Sequence, residues 1–372
     1  MRWGVWCDEP AAGPWLRRLA QREPAPSFVA VRATPADDAV WHGIPQVTFV
    51  PDWPALLADR TIEAVLIAGD SDERRAAIRQ LAEQDRPVWV WPDARQGLPF
   101  AYEVALIAHE RTSPLWGIWR HRGDPVLAGV HAKREGGELA GLEHVELTRQ
   151  ICGDNLAPAE LAAALQRGLL PDLDLLRWLG AEAARVTTLR TTGPGDRLWK
   201  QSVLLAADHG PGASWTGEIV AGTTSTARLQ LRHSAGTLVL VEDAAGCWRA
   251  ESGPDTTPAA PPVLATATPW ADVVRVFEWF DACEHSLERR RTIELHSEPV
   301  SERTVFKTQM TALGCGVLMG TLLLLLAYLA IAAAVPLPSG VLLVLRALVF
   351  APLVIFLIVQ LLLPLSRVPG KS

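Results

Sequence analysis

Residues able to do chemistry are sparse in this 372-residue chain, and few share a spacing that chemistry demands. The nine histidines form no His-Glu-x-x-His pattern and no close pair, so a helix-borne zinc site is not indicated. Cys7, Cys152, Cys247, Cys283 and Cys315 have no paired spacing, which argues against a zinc ribbon and against a disulfide framework. The lysines are Lys133, Lys200, Lys307 and Lys371, a short list of candidates for a catalytic amine. Gly370-Lys371-Ser372 repeats the end of a phosphate-binding loop, but no strand precedes it and no helix follows. What remains is carboxylates and arginines at the ends of elements. Asp174, beside Asp172 at the start of a helical stretch, is either a site carboxylate or an acid favoured by the helix dipole. Arg32 follows an apolar strand, where it is either a partner for a nucleotide 2′-phosphate or a solvated arginine. Gly69-Asp70 closes another strand, as a ligand contact or as the turn such a strand needs. Arg289-Arg290-Arg291 is the densest positive run, either a solvated helix end or a contact for anionic lipid.

The elements that must position these residues alternate through the first 98 positions. Apolar runs at 2–6, 28–33, 47–50, 64–68 (AVLIA) and 88–91 (VWVW) read as strands. Helices fit between them: 14–21 with proline near its start, a turn of helix after Asp52-Trp53-Pro54, and 72–84 capped by Ser71 or Asp72. Near-continuous apolar strands joined by helices predict a parallel, doubly wound α/β sheet. Ligands in such sheets lie beyond the carboxyl ends of the strands, here 7–13, 32–34, 69–72 and 92–95.

From about 99 the pattern changes. Helices are expected at 100–110, 125–135, 158–166 and 172–179, and an amphipathic one at 270–290. Strands are expected at 142–150, 186–190, 202–206, 215–221, 227–233 and 237–242, giving an α+β second domain with an open, mainly antiparallel sheet. That sheet makes a homo-oligomer plausible. A net charge of −6 leaves no basic footprint for nucleic acid.

The tail is apolar. Positions 310–335 carry no charge, and 341–365 carry only Arg346, with the Pro336-Leu337-Pro338-Ser339-Gly340 turn between. Each run exceeds the roughly 20 residues that span a bilayer, so the sequence predicts a C-terminal two-helix transmembrane hairpin after a 301–309 linker, with the lipid bilayer as partner. Arg303 and Lys307 before it and Arg367 and Lys371 after it would keep both termini and the residues before the hairpin on the cytoplasmic side of the cell membrane.

The stretch 52–90 resembles the Gfo/Idh/MocA oxidoreductases, in which a strand ends at a small polar turn, a helix follows, and the next strand leads to Glu-Lys-Pro. The stretch 172–186 is similar to the helix after that family's Gly-x-His-x-x-Asp motif, and 270–290 to its closing helix. The likeness covers about residues 1–300, and with the tail the chain looks like a membrane-anchored subset. It implies a Rossmann-like domain at 1–98 for NAD or NADP, with Arg32, Gly69, Asp70 and Pro92 about the cofactor, and a substrate domain at 99–300 with Asp174 as the catalytic-site carboxylate. The departures are specific. The first turn reads Cys7-Asp8-Glu9-Pro10-Ala11-Ala12-Gly13 where Gly-x-Gly-x-x-Gly should cradle a pyrophosphate. Trp91 stands at the lysine position before Pro92, and Pro171 at the histidine position before Asp174. Neither tryptophan nor proline can take a proton. Three functions stay open: an oxidoreductase with a rebuilt site acting on a sugar or polyol, a non-catalytic relative that binds or senses, and a scaffold subunit.

Overall fold

The computed structural model describes residues 1–295, apart from 23, 32–37, 85, 112–113, 140, 154–155, 194–197, 223, 235, 244–245 and 252–260, together with residues 319–328. Met1–His296 and Ser297–Ser372 are separate compact units, and the first carries everything that follows.

In that unit β1 (Arg2–Cys7), α1 (Gly13–Ala20), β2 (Ser27–Val31), α2 (Asp38–Trp41), β3 (Val47–Val50), α3 (Trp53–Ala58), β4 (Ala64–Ala68), α4 (Asp72–Ala82) and β5 (Val88–Trp91) alternate as the apolar pattern requires. The next elements are α5 (Gly97–Arg111) and β6 (Leu115–Ile118). The parallel order is β3-β2-β1-β4-β5-β6, and residues 267–269 add an antiparallel edge beside β6. The first sheet thus continues past residue 98. Its order reverses direction between β1 and β4, which opens a crevice at their carboxyl ends. Both faces are apolar. Trp3, Val5, Phe28 and Leu66 pack with Trp15, Leu16 and Leu19 of α1, while Trp6, Val29, Val65 and Ile67 pack with Leu56 and Ile78 on the other side. Side chains cap the helices: Asp52 accepts the Ala55 N–H at 2.8 Å and Ser71 accepts the Arg74 N–H at 3.2 Å.

Next in the chain are α6 (Pro125–Glu135), β7 (Leu142–Cys152), α7 (Pro158–Trp178), β8 (Arg185–Thr192), β9 (Leu198–Ala206), β10 (Gly212–Val220), β11 (Thr226–His233), β12 (Gly236–Glu242) and β13 (Trp248–Ala250). The edge pairing at 267–269 is β14 (Ala267–Pro269), and α8 (Trp270–Arg289) and β15 (Ile293–Glu294) complete the unit. The second sheet runs β13-β12-β11-β7-β10-β9-β8-β15, antiparallel except between β7 and β10. One face is covered by α7 and α8. The other carries polar side chains such as Lys200 paired to Glu218 and His144 beside Ser214.

Two expectations change. The helices expected at 158–166 and 172–179 are one helix, α7, that runs straight through Pro171. Leu161, Leu165, Leu169, Leu173 and Leu176 form one buried stripe along it, and that burial outweighs the roughly 3 kcal/mol a mid-helix proline costs. The transmembrane hairpin, and the cell-membrane location with cytoplasmic termini that rested on it, are corrected: among the described residues no helix is long and apolar enough to cross a membrane. The described part of the first run, 319–328, is about ten residues of helix, or ~15 Å against a hydrocarbon core of ~30 Å. The rest of 310–335, and all of 341–365, lie outside the described residues.

The first sheet and α8 meet at Gly117, where an added Cβ would lie 2.4 Å from Val273 Cγ2. Gly117→Ala should therefore lower stability by about 1–3 kcal/mol in denaturant titrations, and Val273→Ala in the same chain should recover more than additivity allows. Strictly additive effects would show that the two do not touch.

Candidate functional site

The crevice between β1 and β4 is filled by the chain's own side chains. After Cys7 the backbone turns at Asp8, whose carboxylate lies 2.7 Å from Arg74 Nη1. The Asp8 carboxylate lies so close over Gly69 that a Cβ there would stand 1.9 Å from its Oδ1, and Gly69 has φ +107°. Glycine is thus required on two counts. The Arg74 guanidinium is buried and lies 4.9 Å over the Trp6 ring, which stacks on Trp53 at 5.2 Å. Glu9 accepts the Ala11 N–H at 3.1 Å and caps the turn that leads into α1. Burial pushes the Cys7 thiol up to about 12, so it is no nucleophile. Beside the crevice Arg75 binds Asp70 at 2.9 Å, Arg95 binds Asp93 at 3.0 Å, and Arg95 lies 3.6 Å from Asp70. Burial raises the Asp70 carboxyl despite Arg75.

Past this seam a cavity of about 270 Å³ opens between the ends of β5 and β6 and the middle of α7. Trp91, Pro92, Trp119, Arg120, Arg167 and Pro171 line it, together with Glu9 and Arg149. Pro171 has no N–H to offer the Arg167 carbonyl one turn earlier, so the helix is a bond short where it forms the cavity wall.

Behind Arg149 lies a buried ionic cluster. Arg149 grips Asp172 with Nε to Oδ2 at 2.6 Å and Nη2 to Oδ1 at 2.7 Å, and its Nη1 binds Glu242 at 2.8 Å. Trp215 Nε1 donates to Asp172 Oδ2 at 2.8 Å, and His121 Nε2 lies 3.0 Å from Oδ1. Burial would raise the Asp172 carboxyl, but the Arg149 charge and the hydrogen bonds from His121 and Arg149 hold it far below the carboxylate range. Burial likewise opposes the Glu242 charge, and Arg149 and Arg120 keep it lowered. Burial, then Arg120, push His121 down, against the pull of Asp172. Its Nε2 also lies 3.1 Å from Arg120 Nε, and one nitrogen cannot donate to Asp172 and accept from Arg120 in one tautomer.

The structure brings some of the expected site residues together. Gly69 and Asp70 close β4, and Pro92, Trp91 and Pro171 line the cavity. Arg32 falls outside the described residues. Asp174 is fully buried away from the cavity lining, both oxygens taken by Arg122 at 2.7 and 2.9 Å. The dipole reading of Asp174 does not hold, because it sits deep inside α7, as Asp172 does, and an arginine neutralises each. The sequence reading missed Arg120, His121, Arg149 and Glu242. One signal was available: Val145, Leu147 and Arg149 occupy the inward register of β7, and an arginine there needs a buried acid.

Arg149→Met should cost about 3–5 kcal/mol in an equilibrium unfolding titration, because it leaves two acids in the core without their main partner. Arg149→Met with Asp172→Leu should recover a large part of that. His121 of the cluster, with two histidines outside it, also sets a pH dependence. His121, His131 and His144 are all lowered first by burial, from an ordinary value of 6.5. Below that pH the unfolded chain binds protons the fold refuses, so stability should fall as pH drops from 7.5 to 5.5, by up to about 1.4 kcal/mol per pH unit for His121. Denaturation midpoints that rise on acidification would reverse that sign.

No family model matches this sequence, and no curated protein does. Solved structures match its fold. A putative myo-inositol dehydrogenase from Sinorhizobium meliloti is 16% identical, with 80% of this chain and 100% of that one covered and a TM-score of 0.63. The myo-inositol dehydrogenase from Lactobacillus casei, in complex with NAD(H) and myo-inositol, is 14% identical over 81% of this chain and 98% of that one, with a TM-score of 0.62. An oxidoreductase from Agrobacterium radiobacter, in complex with NAD+, L-tartaric acid and magnesium, is 16% identical over 79% and 98%, with a TM-score of 0.60. At these identities the likeness is one of fold: the two-domain, Rossmann-like architecture of Gfo/Idh/MocA-type dehydrogenases, whose solved neighbours include NAD-bound enzymes.

Proposed function

We propose that this chain uses a dehydrogenase scaffold as a small-molecule binding module, with oxidoreductase chemistry lost or strongly altered. The observation that carries this reading is the Asp8–Arg74 ion pair laid over Gly69 at the mouth of the crevice. A dinucleotide needs that space for its pyrophosphate and needs free backbone N–H groups beside it. Here two carboxylates, Asp8 and Glu9, stand in the turn, and Glu9 already uses the Ala11 N–H. The residues at the crevice therefore do not fit NAD or NADP. The cavity adds a second argument. Among the described residues that line it there is no lysine or histidine, and Trp91 and Pro171 stand where the resembling family carries its proton-handling groups. General-base assistance is typically worth about 10²–10⁴ in rate, so its loss together with the nucleotide grip leaves little turnover.

The competing reading is a working NAD-dependent oxidoreductase on a sugar or polyol, favoured by the likeness to dehydrogenases solved with NAD and with myo-inositol. The two are separated by titrating NADH and NADPH against the emission of the fifteen tryptophans. The expected result is no quenching below the millimolar range and no NADH formed from NAD with myo-inositol or simple sugars. Micromolar quenching with substrate-dependent NADH formation would establish the competing reading.

A further inference from the structure

We propose that the cavity beside Trp91 holds a small organic acid, its carboxylate taken by Arg120 and Arg167. This rests on the binding-module reading and gives its ligand a chemical class.

Three arginines reach this cavity, and they differ in how their N–H groups are used. Arg149 has all three nitrogens bonded to Asp172 and Glu242. Arg120 has one side-chain hydrogen bond among the described residues, Nε to His121 Nε2 at 3.1 Å, and even that competes with Asp172 for the same ring nitrogen. Its Nη2 is buried without a hydrogen-bond partner, and the nearest acid oxygens, on Asp172 and Glu242, are 3.9 and 3.8 Å away. Those are ion-pair distances but too long for hydrogen bonds. Arg167, one turn before Pro171 on α7, has no hydrogen-bond or ion-pair partner among the described residues. The buried Arg120 Nη2 is a donor left unpaired at a cost of about 1–3 kcal/mol. Arg167 is exposed at the rim, with its N–H groups free to turn inward. A carboxylate supplies two acceptor oxygens in the plane a guanidinium prefers.

Charge alone does not select the ligand. Arg120 and Arg149 offset Asp172 and Glu242, Asp93 is held by Arg95, and Glu9 lines the same cavity near enough to act on Arg120. The selection comes from uncommitted donors, not from a surplus of positive charge. A hydroxyl on the same ligand would find an acceptor in Glu9. Trp91, Trp119, Pro92 and Pro171 make the rest of the wall apolar. At about 270 Å³ the space lies just under the range of drug-sized pockets, which suits an acid of a few carbons and excludes a dinucleotide.

The test is calorimetric titration of the full chain with lactate, malate, inorganic phosphate and myo-inositol, each without and with NADH. Lactate or malate should bind without NADH, and Arg167→Ala should weaken that binding at least tenfold while leaving the ligand-free melting temperature in place. Arg120→Lys, which keeps the charge but loses the planar fork, should weaken it too if the variant melts cooperatively. No binding of either acid, equal binding by Arg167→Ala, or tighter binding of phosphate or myo-inositol than of the acids would overturn the assignment. Carboxylate binding that needs NADH would leave this assignment standing and overturn the binding-module reading instead, so the two fail separately.

Discussion

Arg149 is the tie on which the second half of the unit depends. It is almost fully buried, reaches Asp172 on α7 and Glu242 at the end of β12, and itself belongs to β7. Each of these charges would cost several kcal/mol to bury alone, so the three elements are acceptable in the core only when brought together. One placement of α7 on the sheet satisfies the cluster. Shifting the helix by a turn would separate Asp172 from both Arg149 and Trp215, and the hydrophobic stripe alone would not resist such a shift as sharply.

The same tie shapes the cavity. With Asp172 anchored, the preceding residue Pro171 is fixed against the ends of the first sheet, and the missing hydrogen bond of α7 is brought to the cavity rather than to the solvent face. Arg120 and His121, which follow β6, pack into the same cluster from the first sheet. Ionic and apolar continuity thus coincide. One hydrophobic core runs from Ile67 and Val90 of the first sheet to Leu147 and Trp215 of the second.

Much of this architecture was legible in the sequence because burial writes a pattern into strands. AVLIA and VWVW can only be strands buried on both faces, and they are β4 and β5. The gap left between the helices expected at 158–166 and 172–179 is a misreading, because the leucine stripe that bridges it shows its weight only when both halves are counted. The apolar tail satisfied a length criterion, yet no described helix meets it. The ionic cluster joins positions 120, 121, 149, 172 and 242, from the turn after β6, from β7 and β12 and from α7, far apart in the chain. Only Arg149 leaves a local trace, as a charge in an apolar register. Asp174 looked like a site residue for its motif position, and its partner Arg122 lies in a single 3-10 turn too short to carry a periodicity.

The Asp8–Arg74 pair has a consequence for how such a sequence can change over time. A single replacement of Asp8 would strand a guanidinium that is only about one-twentieth exposed, at a cost of a few kcal/mol against a total stability of roughly 5–15 kcal/mol. Replacing Arg74 first would instead leave the Asp8 carboxylate pressed over Gly69 and remove the cation that lies on Trp6. Neither single step is neutral, so a lineage carrying this pair is held back from reopening the crevice by small, separately tolerable mutations. The ion pair acts as a ratchet: once Asp8 and Arg74 had found each other, the route back required both to change together.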